Sequence, residues 1–437
     1  MRLNSVRLIK KVSSVLLATA MLLSLTACNN SSKNAVNSTG SKTVSITFWS
    51  APNAAQTQYW TDEANSFMTQ NKDITIKVSA MSESPSSEAG ITNAIASGSQ
   101  PTASENITRG FAEQLASSDA IIDLSKTSAF AAIVKARSMD SIVKGWEFDG
   151  NKQYVIPLYC SPTLIAYNTK MVNGKVPETY DDLFALQSKL GANQFLFYRS
   201  ELSSSNWWEC WYDFMSNYYA ITKTPFITGN KLTADDSASI KVLDYYQKLR
   251  DTKGGLLKQD AGDAFPEGQA LSYTLGSWAI PAMADKYPNF KYGTNYILGL
   301  PLKSSSSDAG GTFGDTKGVV IYASASVAQQ AAAETFISWV MTNPQSDMKL
   351  LEQCALIPAR GDYDSNATFT AYFKQNPALK EYADAVKLST PAMDNQNMTQ
   401  IQTAMREDAI LPLMNNQIKT GDEAWTAMKS AIQATLQ

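Results

Sequence analysis

Residues 44–78, VSITFWSAPNAAQTQYWTDEANSFMTQNKDITIKV, decide the fold class. Val44, Ile46 and Phe48 alternate on one side of an extended segment, Trp60, Ala64, Phe67 and Met68 recur at helical spacing, and Ile74, Ile76 and Val78 alternate again. Strand, helix and strand in so short a span make a βαβ unit, and a βαβ unit implies a parallel sheet covered by helices. Asn53, after Trp49-Ser50-Ala51-Pro52, stands where a helix needs an N-cap, with ligand contact as the other role open to it.

The same alternation of signals continues downstream. Val155-Ile156 and Leu164–Tyr167 read as extended, and Thr179-Tyr180-Asp181-Asp182 has capping-box spacing ahead of Leu183, Phe184, Leu186 and Leu190. Gly318–Tyr322 reads as a strand and Val327–Met341 as a helix burying Phe336, Trp339 and Val340; from Asn343 onward the chain leans helical, punctuated by Pro344, Pro358 and Pro377. The body is an α/β protein without a fixed-period repeat.

Composition narrows the chemistry. The 437 residues contain no histidine, which excludes an imidazole general base and imidazole metal ligands. The first 27 residues hold Arg2, Arg7, Lys10 and Lys11 and no acid; beyond them 33 Lys and Arg face 40 Asp and Glu, a balance of -7 that argues against nucleic acid as partner. No metal site and no cofactor motif is expected, and no acid pair is singled out by its spacing for glycosidase chemistry.

The basic residues 1–11 followed by apolar or small residues 12–27 have the order of a secretory signal peptide, expected to be removed. Its end, Leu25-Thr26-Ala27-Cys28, is similar to a bacterial lipoprotein lipobox, which implies lipidation of Cys28; the alternative is ordinary cleavage near Ala27 beside an incidental cysteine. Residues 28–43 are then the lipidated cysteine and a tether too rich in Asn, Ser, Thr and Lys to repay the entropy of ordering. Cys160, Cys210 and Cys354 are expected reduced and mostly buried, with a Cys160–Cys210 or Cys210–Cys354 bridge as the alternative.

Several stretches carry a family resemblance. They are ITFWS (Ile46–Ser50), IASGSQP (Ile95–Pro101), FAEQLASSDAIIDL (Phe111–Leu124), DGNKQYVIPLYCSPTLIAYNTKM (Asp149–Met171) leading to VPETYDDL, FPEGQALSYTLGSW (Phe265–Trp278), YGTNYILGLP (Tyr292–Pro301), AAETFISWVMTNPQS (Ala332–Ser346) and LIPARGDY (Leu356–Tyr363). In this order they resemble the extracellular solute-binding proteins of ABC transporters, in the sugar-binding group typified by maltodextrin-binding protein. The resemblance implies a class II periplasmic-binding-protein-like fold: two lobes, each a sheet flanked by helices, joined by hinge strands, with the ligand cleft between them. Chain order then assigns 44–157 plus 300–341 to the N-terminal lobe and 158–299 plus 342–437 to the C-terminal lobe, with crossings near Pro157–Ser161, Tyr296–Pro301 and Val340–Asn343. Two departures stand out: Pro101-Thr102-Ala103-Ser104-Glu105-Asn106 lacks the Pro-Asp pair usual in the family, and NWWECWY (Asn206–Tyr212) is richer in tryptophan than the pattern requires.

A sugar presents hydroxyls at its edge and polarised C–H on its faces, so its site needs aromatic faces and forked hydrogen-bonding groups. The residues that fall where the family puts its cleft are Trp49, Tyr159, Trp207, Trp208, Trp211, Trp278 and Phe313, with Glu105, Asn106 and Arg360 as polar partners. Trp207 and Trp211 share a helical face and Trp208 does not, so at least one of the three packs in the core. Arg360 has an ion pair with Asp362 as its alternative role, and Glu105 and Asn106 have a loop-capping role. Trp60 and Trp339 belong to the core.

The expected function is a monomeric, non-enzymatic binding lipoprotein, held through Cys28 at the outer face of the membrane of a Gram-positive bacterium. It captures an oligosaccharide and delivers it to ABC permease subunits. The alternatives are a charged or non-sugar solute, a sensory role, or an exported carbohydrate-active enzyme.

Overall fold

The computed structural model describes residues 43–82, 87–148, 150–198, 207–256, 263–390, 395 and 397–437. The segment expected to be a signal peptide, Cys28 and nearly all of the expected tether lie outside them. The opening unit forms as its pattern dictates: strand β1 (Val44–Ser50), a helix Ala54–Gln70, and strand β2 (Ile74–Ala80) parallel to β1. Asn53 caps the helix, its side chain accepting from the backbone N–H of Ala55 and Gln56. Strand β3 (Ala103–Ile107) joins the other side of β1, also parallel.

Strand β4 (Ile156–Pro162) is separated by Thr163 alone from β5 (Leu164–Asn168). Then follow β6 (Phe195–Tyr198), a small hairpin of β7 (Ile227–Thr228) and β8 (Lys231–Leu232), β9 (Gly255–Leu256), β10 (Ala270–Leu275), β11 (Tyr296–Gly299), β12 (Thr312–Ile321) and β13 (Ser389–Thr390). The first sheet runs β13-β12-β3-β1-β2 with β4 also on β12, and the second runs β11-β5-β10-β6-β9.

Each sheet is buried on both faces because successive side chains point to opposite sides. In the first, Ile46, Phe48, Val319 and Ile321 meet Trp60 and Phe336, while Val320 and Tyr322 meet Phe111 and Trp146. In the second, Ile165 and Tyr167 face the helices Trp207–Ile221, Asp236–Asp251 and Gly421–Leu436, while Leu164 and Ala166 face Ala367–Gln375 and Pro377–Ala385. The helix Tyr180–Ala185 begins at a complete capping box between Thr179 and Asp182, and the helix Val327–Met341 has another between Ser326 and Gln329. Trp60 is fully buried and Trp339 packs partly buried against the same core. Cys160, Cys210 and Cys354 are free.

The sheets meet through three strands. β12 pairs antiparallel with β4 from Gly314↔Pro162 to Val319↔Ile156, and parallel with β13 at Thr312↔Ser389 and Phe313↔Thr390. β4 then enters the second sheet as β5, so the first passage falls at the end of the expected Pro157–Ser161 segment. The second lies between Gly299 and Thr312, overlapping the end of the Tyr296–Pro301 segment, because Tyr296–Gly299 is itself strand β11. After Met341, the helix Pro344–Cys354 gives Leu350 to the first sheet's core and Met348 and Leu351 to the second's.

The far side of β4 is held by Ile357–Arg360. Cys160 N–H donates to the Ile357 carbonyl (2.8 Å) and Ala359 N–H to the Leu158 carbonyl (2.9 Å). Behind that pairing lies a buried ionic group. Asp347 bonds the guanidinium of Arg137 with one oxygen and that of Arg360 with the other (2.6 Å), and Arg137 also donates to the carbonyls of Leu158 (3.1 Å) and Met341 (3.0 Å).

Candidate functional site

The parallel strands β1 and β3 point their carboxyl ends at the junction with the second sheet, where open α/β sheets place their ligands. The chain leaves β1 through Ser50-Ala51-Pro52-Asn53 and turns into the first helix, whose third residue is Gln56. Glu105, on β3 beside this turn, is 0% exposed. Its carboxylate accepts from Ala51 N–H (2.8 Å) and from the Gln56 amide, 3.3 Å from each carboxylate oxygen. Burial pushes its pKa up to about 7, against the pull of those donors and of the Lys317 ammonium. Tyr159, a buried phenol on β4, has its pKa raised well above the ordinary value, by burial first and then by the carboxylates of Glu105 and Asp315.

β12 supplies the next groups. Asp315 and Lys317, two residues apart and so on one side of the strand, lie 3.7 Å apart. Asp315 hydrogen-bonds Tyr212 from the helix Trp207–Ile221 of the second core. The sequence reading missed Gln56, Tyr212, Asp315 and Lys317. The alternation in Asp315-Thr316-Lys317 was the available signal, but nothing local says that this strand reaches past the end of β3.

The residues singled out from sequence fall into three groups. Trp49, on the opposite side of β1 from Phe48, is half-buried; Tyr159, on β4, is 4% exposed and packs in the first sheet's core, so it offers no open ring face; Asn106, the penultimate residue of β3, has φ 65 and its amide donates to Ser87 Oγ (3.3 Å). A non-glycine residue held in the left-handed region on a strand is strained, a condition frequent at binding sites. With Glu105 these gather at one end of the first sheet.

A second group is structural. Phe313 is fully buried on β12, with Trp211 edge-on at 4.7 Å and Tyr212 at 5.1 Å, so its ring is a wall of the strand junction rather than an open face. Trp211 is 2% exposed in the second core. Arg360 spends its guanidinium on Asp347, Asp362 and the Ala136 carbonyl, the ion-pair role. Trp278, by contrast, is the most open tryptophan among the described side chains at 39% exposure, following the turn after β10 with its ring over Gly276, where a Cβ would come within 2.3 Å of it. The side chains of Trp207 and Trp208 lie outside the described residues. Among the described residues no cluster of three or more Cys, Asp or Glu is placed to hold a metal, and no helix is long and apolar enough to cross a membrane.

Residues 63–381 match the family of bacterial extracellular solute-binding proteins. The chain belongs to that family. A crystal structure of an uncharacterised protein from Listeria monocytogenes is 39% identical with a TM-score of 0.81, covering 90% of this chain and 100% of that one. The cyclic alpha-maltosyl-1,6-maltose binding protein of Arthrobacter globiformis is 17% identical with a TM-score of 0.74, covering 90% of this chain and 99% of that one. The galacto-N-biose-/lacto-N-biose I-binding protein of an ABC transporter from Bifidobacterium longum is 17% identical with a TM-score of 0.70, covering 90% and 98%. These likenesses make the solute-binding protein's fold the two-lobed one. No curated protein matches the sequence.

Proposed function

We propose that this solute-binding protein is the substrate-capturing component of an ABC importer, anchored through lipid on Cys28 at the outer face of a Gram-positive membrane, that binds a neutral oligosaccharide between its lobes and passes it to the permease unchanged. Residues 44–157 with 300–341 would form one lobe and 158–299 with 342–437 the other. The observation that carries the reading is the arrangement at the junction. Half-buried Trp49 and exposed Trp278 offer ring faces, and the partly exposed carboxylate of Asp315 and amide of Asn106 offer hydrogen-bonding groups, around the paired strands β4 and β12 through which the first sheet meets the second. Trp207 and Trp208 remain candidates for the second lobe's aromatic face.

Function follows from population shift: a ligand that touches both lobes binds the closed form better and draws the protein toward it. The sugar-binding ligands named for two relatives of the same fold support the chemical class. The test is tryptophan fluorescence and calorimetry of the purified protein with maltotriose, raffinose and xylotriose, with chromatography of the sugar afterwards. Saturable binding without product supports the proposal. Turnover of the sugar, or binding only of charged solutes with steep salt dependence, overturns it.

A further inference from the structure

The helix Pro344–Cys354 and the stretch 357–361 stand between the two cores, and their two sides are built from different forces. Toward the first sheet the attachment is polar. Glu63, 1% exposed on the first helix, accepts from Ser346 Oγ (2.6 Å) and Lys349 Nζ (2.6 Å). Asp347 pairs with Arg137, the last residue of the helix Ser128–Arg137, and with Arg360, which also donates to the Ala136 carbonyl (3.1 Å). Gly361 N–H donates to the Arg137 carbonyl (2.9 Å), and a Cβ at Gly361 would collide with the Ser138 carbonyl. Toward the second sheet the attachment is apolar: Met348, Leu351 and Ile357 pack with Leu164, Phe369 and Phe373, and the Arg360 guanidinium lies over the Phe369 ring at 4.8 Å. Among the described residues no hydrogen bond or ion pair joins 344–361 to the second sheet or to the helices Ala367–Gln375 and Pro377–Ala385.

Displacement treats the two sides differently. Hydrogen bonds are directional and weaken steeply once their geometry is lost, and parting Asp347 from its arginines would strand buried charges. Apolar contact has no preferred direction, so one such surface slides over another at little cost as long as water stays out. We propose that Glu63, Arg137, Asp347 and Arg360 pin residues 344–361 to the first lobe as a fixed bearing, over whose apolar side the second lobe turns. The third connection between the lobes then bends after Gly361, where Asp362 and Tyr363 lead into the helix Ala367–Gln375, and not near Val340–Asn343. This moves the lobe boundary proposed above from residue 342 to residue 361. It rests on the two-lobed fold alone and is independent of which solute is bound. Arg137 extends the pin to the rest of the junction, because its donation to the Leu158 and Met341 carbonyls fastens β4 and the end of the helix Val327–Met341 to the same group. The first lobe, β4 up to Leu158 and the bearing therefore move as one body.

The experiment is pulsed electron spin resonance on the full ligand-free protein, with nitroxides on keto-bearing residues introduced in pairs at exposed positions so that the native cysteines stay in place. Asn65 on the first helix and Lys135 report the first lobe, Gln353 the bearing, and Lys241 on the helix Asp236–Asp251 the second lobe. The distance distribution for Asn65 with Gln353 is expected to be as narrow as that for Asn65 with Lys135. Lys241 with Gln353 should be as broad as Lys241 with Asn65. Asp347→Asn, which cuts the central pin, should broaden Asn65 with Gln353; should that variant fail to fold, Ser346→Ala combined with Glu63→Gln cuts the outer pin and leaves the arginine pair in place. A narrow distribution for Lys241 with Gln353 beside a broad one for Asn65 with Gln353 assigns the helix to the second lobe and overturns the inference. So does a Lys241 to Asn65 distribution as narrow as the one within the first lobe, which would mean that nothing turns, or a width for Asn65 with Gln353 that the folded pin variants leave unchanged. Failure to bind any saccharide would instead overturn the proposed function and leave these distances untouched.

Discussion

Glu105 also makes a statement about stability at the scale of a single residue. Its folded pKa of about 7 lies above the ordinary value of 4.5, so between those two pH values the folded state holds a proton that the unfolded chain has released. The associated stability is fully present below about pH 4.5 and is lost as pH rises through 7, a change on the order of 3 kcal/mol if the whole shift is realised. Urea unfolding at pH 5 and pH 8 should show Glu105→Gln gaining on the parent at the higher pH; equal differences at both values would count against the assigned burial. Asp347 should respond in the opposite sense to a conservative change. It neutralises Arg137 and Arg360, all three shut from solvent, so Asp347→Asn strands two buried cations and is expected to cost about 3–5 kcal/mol by the same assay. Trp278 stands apart from both, since much of its ring is already open to water. Trp278→Ala should leave the unfolding midpoint within about 0.5 kcal/mol of the parent and weaken oligosaccharide binding by about 1–2 kcal/mol, roughly tenfold, read by calorimetry.

Among the elements, those legible in the sequence were the ones whose signals are local. The βαβ opening, the Thr179 capping box and the helix Val327–Met341 each follow from residues within a few turns of one another. What stayed hidden depends on distant partners. Trp207 and Trp211 share a helical face, and only the packing of Phe313, a hundred residues on, shows that Trp211 faces the core. Phe313 sits in the glycine-rich run Gly310–Gly314, which carries no strand signal of its own, yet it is the second residue of a strand flanked by β4 and β13. Arg360 gives no hint in its own neighbourhood that Asp347 is paired at once with Arg137. The strand junction has its own prediction. A Cβ on Gly314 would lie 2.7 Å from Ser389 Oγ, 2.8 Å from Ser389 Cβ and 3.1 Å from Cys160 Sγ, so β12 approaches β4 and β13 there closely enough to admit only glycine without movement. Gly314→Val should cost about 1–3 kcal/mol and raise amide exchange at Ser389 and Thr390, measured by hydrogen exchange mass spectrometry; unchanged exchange there would contradict the packing.

For the whole molecule, two sheets with separate cores are tied by a few strands, and that arrangement suits hinge bending, in which few residues absorb the motion. Solution scattering should show a smaller radius of gyration on adding a saccharide that fluorescence has identified as a ligand, and an unchanged radius would argue against closure. The order in which the chain visits the sheets has a consequence for synthesis. Every strand of the second sheet lies between Leu164 and Gly299, so its hydrogen bonding is complete once that stretch has left the ribosome. The first sheet begins earlier but finishes later: after Ile107 has emerged, β3 keeps one edge bare until β12 arrives at Thr312. A nascent chain of this protein therefore carries an open strand edge through the making of its entire middle, the interval in which a chaperone has most to protect.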